Sequence, residues 1–335
     1  MKHTTLAEIM RQNGRVTEAY SRYLNCQPRA ITADTVQKIA RACGVDTHEA
    51  YLSLFSSVLG WDAEKTEEDS LLEEVYLLRG LRRLNPDVYR NDPYCRTVRF
   101  PNVKKGAWEL KESFYEPYEP FVCNHPTCTE HLREIPQIGY FEDRFPFPAV
   151  LENGIEWMTV TPNEIETMRE PIAHAHGRVL TLGLGLGYYA FSAAQKPCVS
   201  SVTVIERDPR IIALFEEHLL PQFPHCEKIS VVEADAFAFL QSCAPSDFDT
   251  VFADLWRDQR DGLAMYLTLR KIEKQNQLQN VDYWIEPTLL SSLRHAVWAR
   301  INNPNAPIDL GNTDPRVLLS DSFLKSLAPD VQMNF

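Results

Sequence analysis

The sequence predicts an α/β protein: a doubly wound, mostly parallel sheet, preceded by an α-helical N-terminal domain and a short β-hairpin region. Three observations predict it. From residue 177 onward, short apolar runs alternate with amphipathic segments, the texture of strands covered by helices on both faces. Residues 107–160 are aromatic, β-branched and broken by turn residues. The first 84 residues carry apolar positions at helical spacing.

In chain order, "TLAEIMRQNGRVTEAYSRYL", "TADTVQKIARACGVDTHEAYLSLFSSVLG" and "DSLLEEVYLLRGLRRL" predict the N-terminal helices. Residues 85–106, rich in Pro, Asn, Asp and Arg, predict a linker or extended connection, which closes a first domain at 1–106. "WELKESFYEPYEPFV", "IGYFEDRFPFPAVL" and "IEWMTV" predict hairpin strands in an adaptor over 107–165. "TPNEIETM" predicts a helix start, with Thr161 as N-cap, Pro162 in the first turn and Glu164 closing a capping box. A third domain, 166–335, follows. Its strands are "RVLTL", "SVTVIE", "ISVVEA", "DTVFAD" and "VDYWIE", and its helices lie between and after them. Asp208 caps the helix that begins at Pro209.

Bulk composition excludes several function classes. The chain has 335 residues and a formal net charge of -12. That charge argues against nonspecific binding to nucleic acid or to anionic membranes. The charge-free stretch 179–195 is too short to span a bilayer and holds three glycines. Eight scattered cysteines, with no apolar leader in "MKHTTLAEIMRQNG", predict reduced thiols and a cytoplasmic protein.

Right-handed crossovers put the C-terminal ends of parallel strands on one edge, where such sheets bind ligands. Chemistry-bearing residues fall at those ends. The first strand runs into Gly183-Leu184-Gly185-Leu186-Gly187, the second ends at Glu206, the third at Glu233-Ala234-Asp235 and the fourth at Asp254. Glycines let a backbone turn tightly and approach a ligand, and the following helix start favours an anion. Glu206 follows Gly183 by 23 residues, a spacing that suits a carboxylate accepting two ribose hydroxyls. Asp235 suits an adenine amine. The spacing G-x-G-x-G places the third glycine one residue earlier than the dinucleotide fingerprint does, and no P-loop motif is present.

"VLTLGLGLG", "VTVIERDP", "EADAFAFL" and "FDTVFADLW" resemble the successive motifs of class I S-adenosylmethionine-dependent methyltransferases, above all the spermidine-synthase-like subgroup. The resemblance covers about 177–256. It implies a Rossmann-like domain with S-adenosyl-L-methionine as cofactor. It also implies a binding set of Gly183, Leu184, Gly185, Gly187, Glu206, Arg207, Asp235, Ala236 and Asp254. The Gly183–Gly187 loop then holds the methionine part, Glu206 the ribose, and Asp235 with Ala236 the adenine. The chain departs from the pattern in places. Thr181 stands where most methyltransferases carry an acid. Leu184 and Leu186 replace part of the glycine-rich run of spermidine synthases. Their D-x-x-D-P is here "DLWRDQRD", with Arg257 at the second Asp.

Asp254 is the candidate catalytic base or acceptor-orienting group. Trp256 is read equally as a substrate wall or a core residue, and Asp258 and Asp261 as solvated loop. Trp284 and Glu286 are read as closing the far side of the site, with burial the plain alternative for Trp284. His174 and His176 read as a helix end. "CNHPTCTEH" places Cys123, His125, Cys128 and His131 within nine residues, but structural zinc sites join two separated pairs, so a polar loop is favoured and no metal is expected. "IARACGVDTHEAYLSLF" has helix-turn-helix spacing, but no Lys or Arg lies between Asp46 and Glu64, which argues against reading DNA. The leading expectation is a methyltransferase acting on a small-molecule or protein acceptor, with homodimerisation left open. The alternatives are a polyamine aminopropyltransferase and a non-catalytic nucleoside-sensing regulator.

Overall fold

The computed structural model describes residues 5–303, and the ends of the N-terminal and C-terminal regions, 1–4 and 304–335, lie outside the described residues. Side-chain caps set the N-terminal helices. Thr5, with Glu8 as its capping-box partner, starts α1 (Leu6–Cys26). Thr32 and Asp46 start α2 (Ala33–Cys43) and α3 (Thr47–Leu59), and each of these ends at a glycine in the left-handed region, Gly44 and Gly60. The next segment, α4 (Glu67–Leu72), runs through a π-helical turn (Glu73–Leu77) into a last turn, α5 (Leu78–Gly80). Tyr20, Tyr23, Tyr51, Phe55 and Trp61 form the aromatic core of this region.

Two findings differ from the sequence expectation here. The helical pattern does not reach Leu84: Leu81–Arg83 is a strand, β1, pairing in parallel with β5 (Glu134–Tyr140). The segment read as a linker folds as two capped helices, α6 (Pro86–Arg90) and α7 (Pro93–Thr97). Asn85 and Asp92 cap them, and each has proline in its first turn. The composition that signals a turn is the same composition that starts a short helix, and burial of Tyr89 and Tyr94 decides between the two.

The hairpin region forms two sheets. β3 (Trp108–Tyr115) pairs with β2 (Val103–Lys105) and with β6 (Phe145–Glu152), and β6 turns back on β7 (Ile155–Thr159). β4 (Phe121–Cys128) pairs with β5. "CNHPTCTEH" therefore begins as strand, not loop. No group of three or more His, Cys, Asp or Glu comes together with metal-binding geometry among the described residues. The eight cysteines are unpaired.

The capping box reaches its predicted position at α8 (Pro162–Thr167), which leads through α9 (Arg169–His174) into the main sheet. That sheet comprises β8 (Gly177–Leu182), β9 (Val199–Glu206), β10 (Ile229–Glu233), β11 (Thr250–Ala253) and β12 (Val281–Tyr283). It is parallel throughout, in the order β10-β9-β8-β11-β12. The first strand lies at the centre and the order reverses beside it, the Rossmann-like arrangement. Helices α10 (Tyr188–Ala194), α11 (Pro209–Leu214), α12 (Ala236–Ser242), α13 (Gln259–Asn276) and α14 (Glu286–Asn302) complete it. None of the described helices is long and apolar enough to cross a membrane.

Helix α14 packs against the N-terminal helix α1. Leu293 and Val297 of α14 pack with Ile9 and Met10 of α1. At the same junction Glu134 accepts hydrogen bonds from Ser291 Oγ at 2.6 Å, Arg294 Nε at 2.6 Å and His295 Nε2 at 2.9 Å. Burial alone would raise the Glu134 carboxyl, but the bond from His295 and the Arg294 guanidinium hold it at about 2.

Candidate functional site

The C-terminal ends of all five parallel strands open on one cavity of about 550 Å³, within the usual range for small-molecule sites. Gly183, Leu184 and Gly185 line it after β8, and Glu206 and Arg207 line it after β9. Asp235 and Ala236 follow β10, Asp254 follows β11, and Trp284 follows β12. Gly187 stands apart from this predicted set: it caps α10 and does not line the cavity.

The three glycines have positive φ of 95°, 56° and 76°, but for different reasons. A Cβ on Gly183 would meet the Asp254 carbonyl oxygen at 1.9 Å. One on Gly187 would meet the Phe215 ring at 2.5 Å. These two positions are glycine because protein packs against them. A Cβ on Gly185 meets nothing nearer than Met158 Sδ at 3.8 Å. Gly185 is the loop position that leaves room for a ligand.

The loop is held from outside its own sheet. Tyr94 Oη donates to the Leu186 carbonyl at 2.6 Å, and Tyr188 Oη donates to Asp92 at 3.0 Å. Both anchors come from the segment 85–106. Leu184 and Leu186 are buried, so the departures from a glycine-rich run act as apolar anchors. Thr181, the other departure, is buried on the cavity wall.

Glu206 is aimed by backbone amides. Its Oε1 accepts from Arg207 N at 2.7 Å and Asp208 N at 2.9 Å, and Oε2 accepts from Leu184 N at 3.4 Å. Both acceptor sites of Oε1 are thus taken by amides, and Oε2 keeps a lone pair for a hydroxyl. Asp235 is the N-cap of α12, with Oδ1 accepting from Ala238 N at 2.8 Å. Its Oδ2 has no partner among the described residues.

Asp254 and Glu164 share the opposite wall. As the capping box predicts, Glu164 accepts from Thr161 N at 3.1 Å. The same carboxyl also lines the cavity. Both residues are partly exposed, but that exposure is to the cavity, with protein on every other side. Burial pushes the Asp254 carboxyl up to about 7. It pushes Glu164 up to about 8, where the Thr161 amide opposes the rise and the charges of Asp254 and Glu156 add to it. Glu156, Trp157 and Met158 reach the cavity because the β6–β7 hairpin folds across the mouth, where the Arg257 guanidinium lies 5.4 Å from the Trp157 ring.

Three buried donors on the wall, Trp108 Nε1, Tyr189 Oη and Trp256 Nε1, have no protein acceptor among the described residues. Trp256 is both wall and core, since it also packs on Gly262. Trp284 lines the cavity and donates to Thr167 Oγ1 at 2.9 Å. Glu286 does not join it: it faces α13, where Tyr266 Oη donates to it at 2.6 Å. Asp258 and Asp261 form the capping box of α13. His174 ends α9 and pairs with Asp282 at 3.1 Å.

No family model matches the chain, and no curated protein does. Solved structures match it in part. It is similar to the spermidine synthase from Thermotoga maritima, at 17% identity over 37% of this chain and 48% of that one, with a TM-score of 0.28. It is also similar to precorrin 8w decarboxylase from Methanobacterium thermoautotrophicum, at 20% identity over 36% and 59%, with a TM-score of 0.28. A third likeness is to a probable spermidine synthase from Corynebacterium glutamicum, at 17% identity over 37% and 51%, with a TM-score of 0.28. The chain thus spans about half the length of these proteins. The fold class itself rests on the strand order and the four parallel pairings of the main sheet.

Proposed function

We propose that this chain is an S-adenosylmethionine-dependent methyltransferase acting on a small-molecule or protein acceptor. The observation that carries the reading is the amide-held Glu206 carboxylate beside the open Gly185, in one cavity with Asp254. The residues present fit the donor. Glu206 offers Oε2 for a ribose hydroxyl, Asp235 offers Oδ2 beside Ala236 for an adenine amine, and the loop at Gly185 leaves space for the amino-acid part. S-adenosylmethionine supplies an electrophilic methyl group when bound. The protein's work is then to hold the acceptor in line and exclude water. Asp254 is suited to take a proton from the acceptor, because its buried carboxyl titrates near 7, close to ordinary working pH.

The test is calorimetry with S-adenosylmethionine and S-adenosylhomocysteine. Saturable one-to-one binding of both is expected, and Glu206→Ala should abolish it. Failure of the intact chain to bind either would end the reading. A second reading, aminopropyl transfer to a polyamine, draws on the cluster of Glu156, Glu164 and Asp254, which suits a multiply charged amine. Preference for the decarboxylated donor would favour it.

A further inference from the structure

We propose that Glu164 and Asp254 form a charge-sensing pair that gives up one proton when a sulfonium enters the cavity, so that the charged donor is held and its neutral thioether product is not. The inference rests on the donor reading above and adds a residue, Glu164, and a means of telling donor from product.

The geometry places two carboxyls on one wall of a single cavity. Glu164 is fixed by its helix, with one oxygen on the Thr161 amide. Asp254 is fixed by its backbone: its N–H donates to the Leu182 carbonyl at 2.8 Å, and its own carbonyl lies against Gly183. Neither side chain has an ion-pair partner among the described residues. Arg207, Arg210 and Arg257 line the same cavity, but among the described residues none is ion-paired with either carboxyl. Glu156 faces Glu164 from β7, and the phenols of Tyr115 on β3 and Tyr94 on α7 lie near it, kept neutral by burial. Behind α8, His125 of β4 is pushed below the usual imidazole range, first by burial. Tyr189 of α10 is likewise a buried, neutral phenol. On the loop after β11, Arg257 leans over Trp157 and toward Asp261 at 3.8 Å. Beyond the glycine loop, Arg210 is paired with Asp208, and Glu206 and Asp235 bring further negative charge.

Two carboxyls in one poorly solvated chamber do not both ionise, and burial disfavours even the first. A fixed positive charge in that chamber reverses the balance. The donor and its product carry the same amino group and carboxylate and differ by the transferred methyl group and the positive charge it leaves on sulfur. The pair therefore responds to that charge: the carboxyl releases its proton to solvent on donor binding, and takes one back when the sulfur becomes a neutral thioether. Reprotonation removes the charge attraction that held the ligand, which favours product release.

The experiment measures the affinity of the intact chain for S-adenosylmethionine and for S-adenosylhomocysteine between pH 5.5 and 8.5, a range chosen about the two carboxyls. Calorimetry is run at each pH in two buffers of different ionisation enthalpy. Donor affinity should weaken about tenfold for each pH unit below about 7, with about one proton released per donor bound near pH 6.5. Product affinity should stay level with no net proton release. Glu164→Gln should leave the donor midpoint near 7, because the neighbouring carboxyl is already neutral when Asp254 ionises and burial alone raises Asp254. The double variant Glu164→Gln, Asp254→Asn should make the two pH profiles parallel. Equal pH slopes for donor and product in the unmodified protein would overturn the pair while leaving the donor reading intact. Binding of neither ligand at any pH would overturn both.

Discussion

Alanine at each of the three loop glycines should separate packing from ligand contact. All three have positive φ, and a left-handed conformation costs a non-glycine residue about 1–2 kcal/mol. That is the whole folding cost expected for Gly185→Ala, since its new Cβ meets no atom closer than 3.8 Å. Gly183→Ala and Gly187→Ala add overpacking, at 1.9 Å to the Asp254 carbonyl oxygen and 2.5 Å to the Phe215 ring. Overpacking of this sort costs a further 1–3 kcal/mol or more, for about 2–5 kcal/mol at each site. Binding should rank differently. The Gly185 methyl would project into the cavity, and a clash of about 1.4–2.8 kcal/mol corresponds to about a 10- to 100-fold loss of donor affinity. Chemical denaturation gives the first quantity and calorimetry with S-adenosylmethionine the second. The reasoning fails if Gly185→Ala is as destabilised as Gly183→Ala, or if it folds and binds the donor as tightly as the unmodified chain.

Other positions give further tests. Tyr94→Phe removes the 2.6 Å bond to the Leu186 carbonyl and should lower stability by about 1 kcal/mol and weaken donor binding; unchanged affinity would show that the loop does not depend on this anchor. Trp284→Phe leaves Thr167 Oγ1 without its indole donor, at about 1 kcal/mol, and adds the cost of the space left by the smaller ring, both read from the denaturation midpoint. Glu134→Gln should cost about 3–5 kcal/mol, since it leaves Arg294 buried beside a neutral amide. Glu134 is depressed from an ordinary 4.5 to about 2, so its contribution is present above about pH 4.5 and is lost as pH falls toward 2. Acid titration of stability should therefore narrow the gap between Glu134→Gln and the unmodified protein over that window, and a constant gap would place the cost elsewhere.

The parallel sheet was legible because its signals are local and its consequence is topological. Five apolar strands alternating with helices leave few arrangements, and right-handed crossovers bring Gly183, Glu206, Asp235 and Asp254 to one edge whatever the side-chain details. The caps at Thr161 and Asp208 were legible for the same reason: each is decided within one helical turn. What sequence could not give depends on contacts between distant segments. β1 is a three-residue strand whose only pairing among the described residues is with β5, more than fifty residues on. The helices at 86–97 share their Asn, Asp and Pro with any turn, and only the burial of Tyr89 and Tyr94 distinguishes them.

Glu164 shows the limit most sharply. A capping box is a complete local explanation for a glutamate at the third helical position, so nothing in the sequence asks for a second role. The second role appears only when the β6–β7 hairpin closes over the strand ends and turns the cap's outer face into a cavity wall. The same reasoning accounts for Leu184 and Leu186. Against a glycine-rich pattern they look like lost ligand contacts. In the fold they are buried in a loop that is also fixed by Tyr94 and Tyr188. A loop fixed from its apolar side needs little ordering when a ligand arrives, which lowers the entropic cost of binding. Gly185, the one of the three loop glycines with open space beside it, is then left to make the close approach.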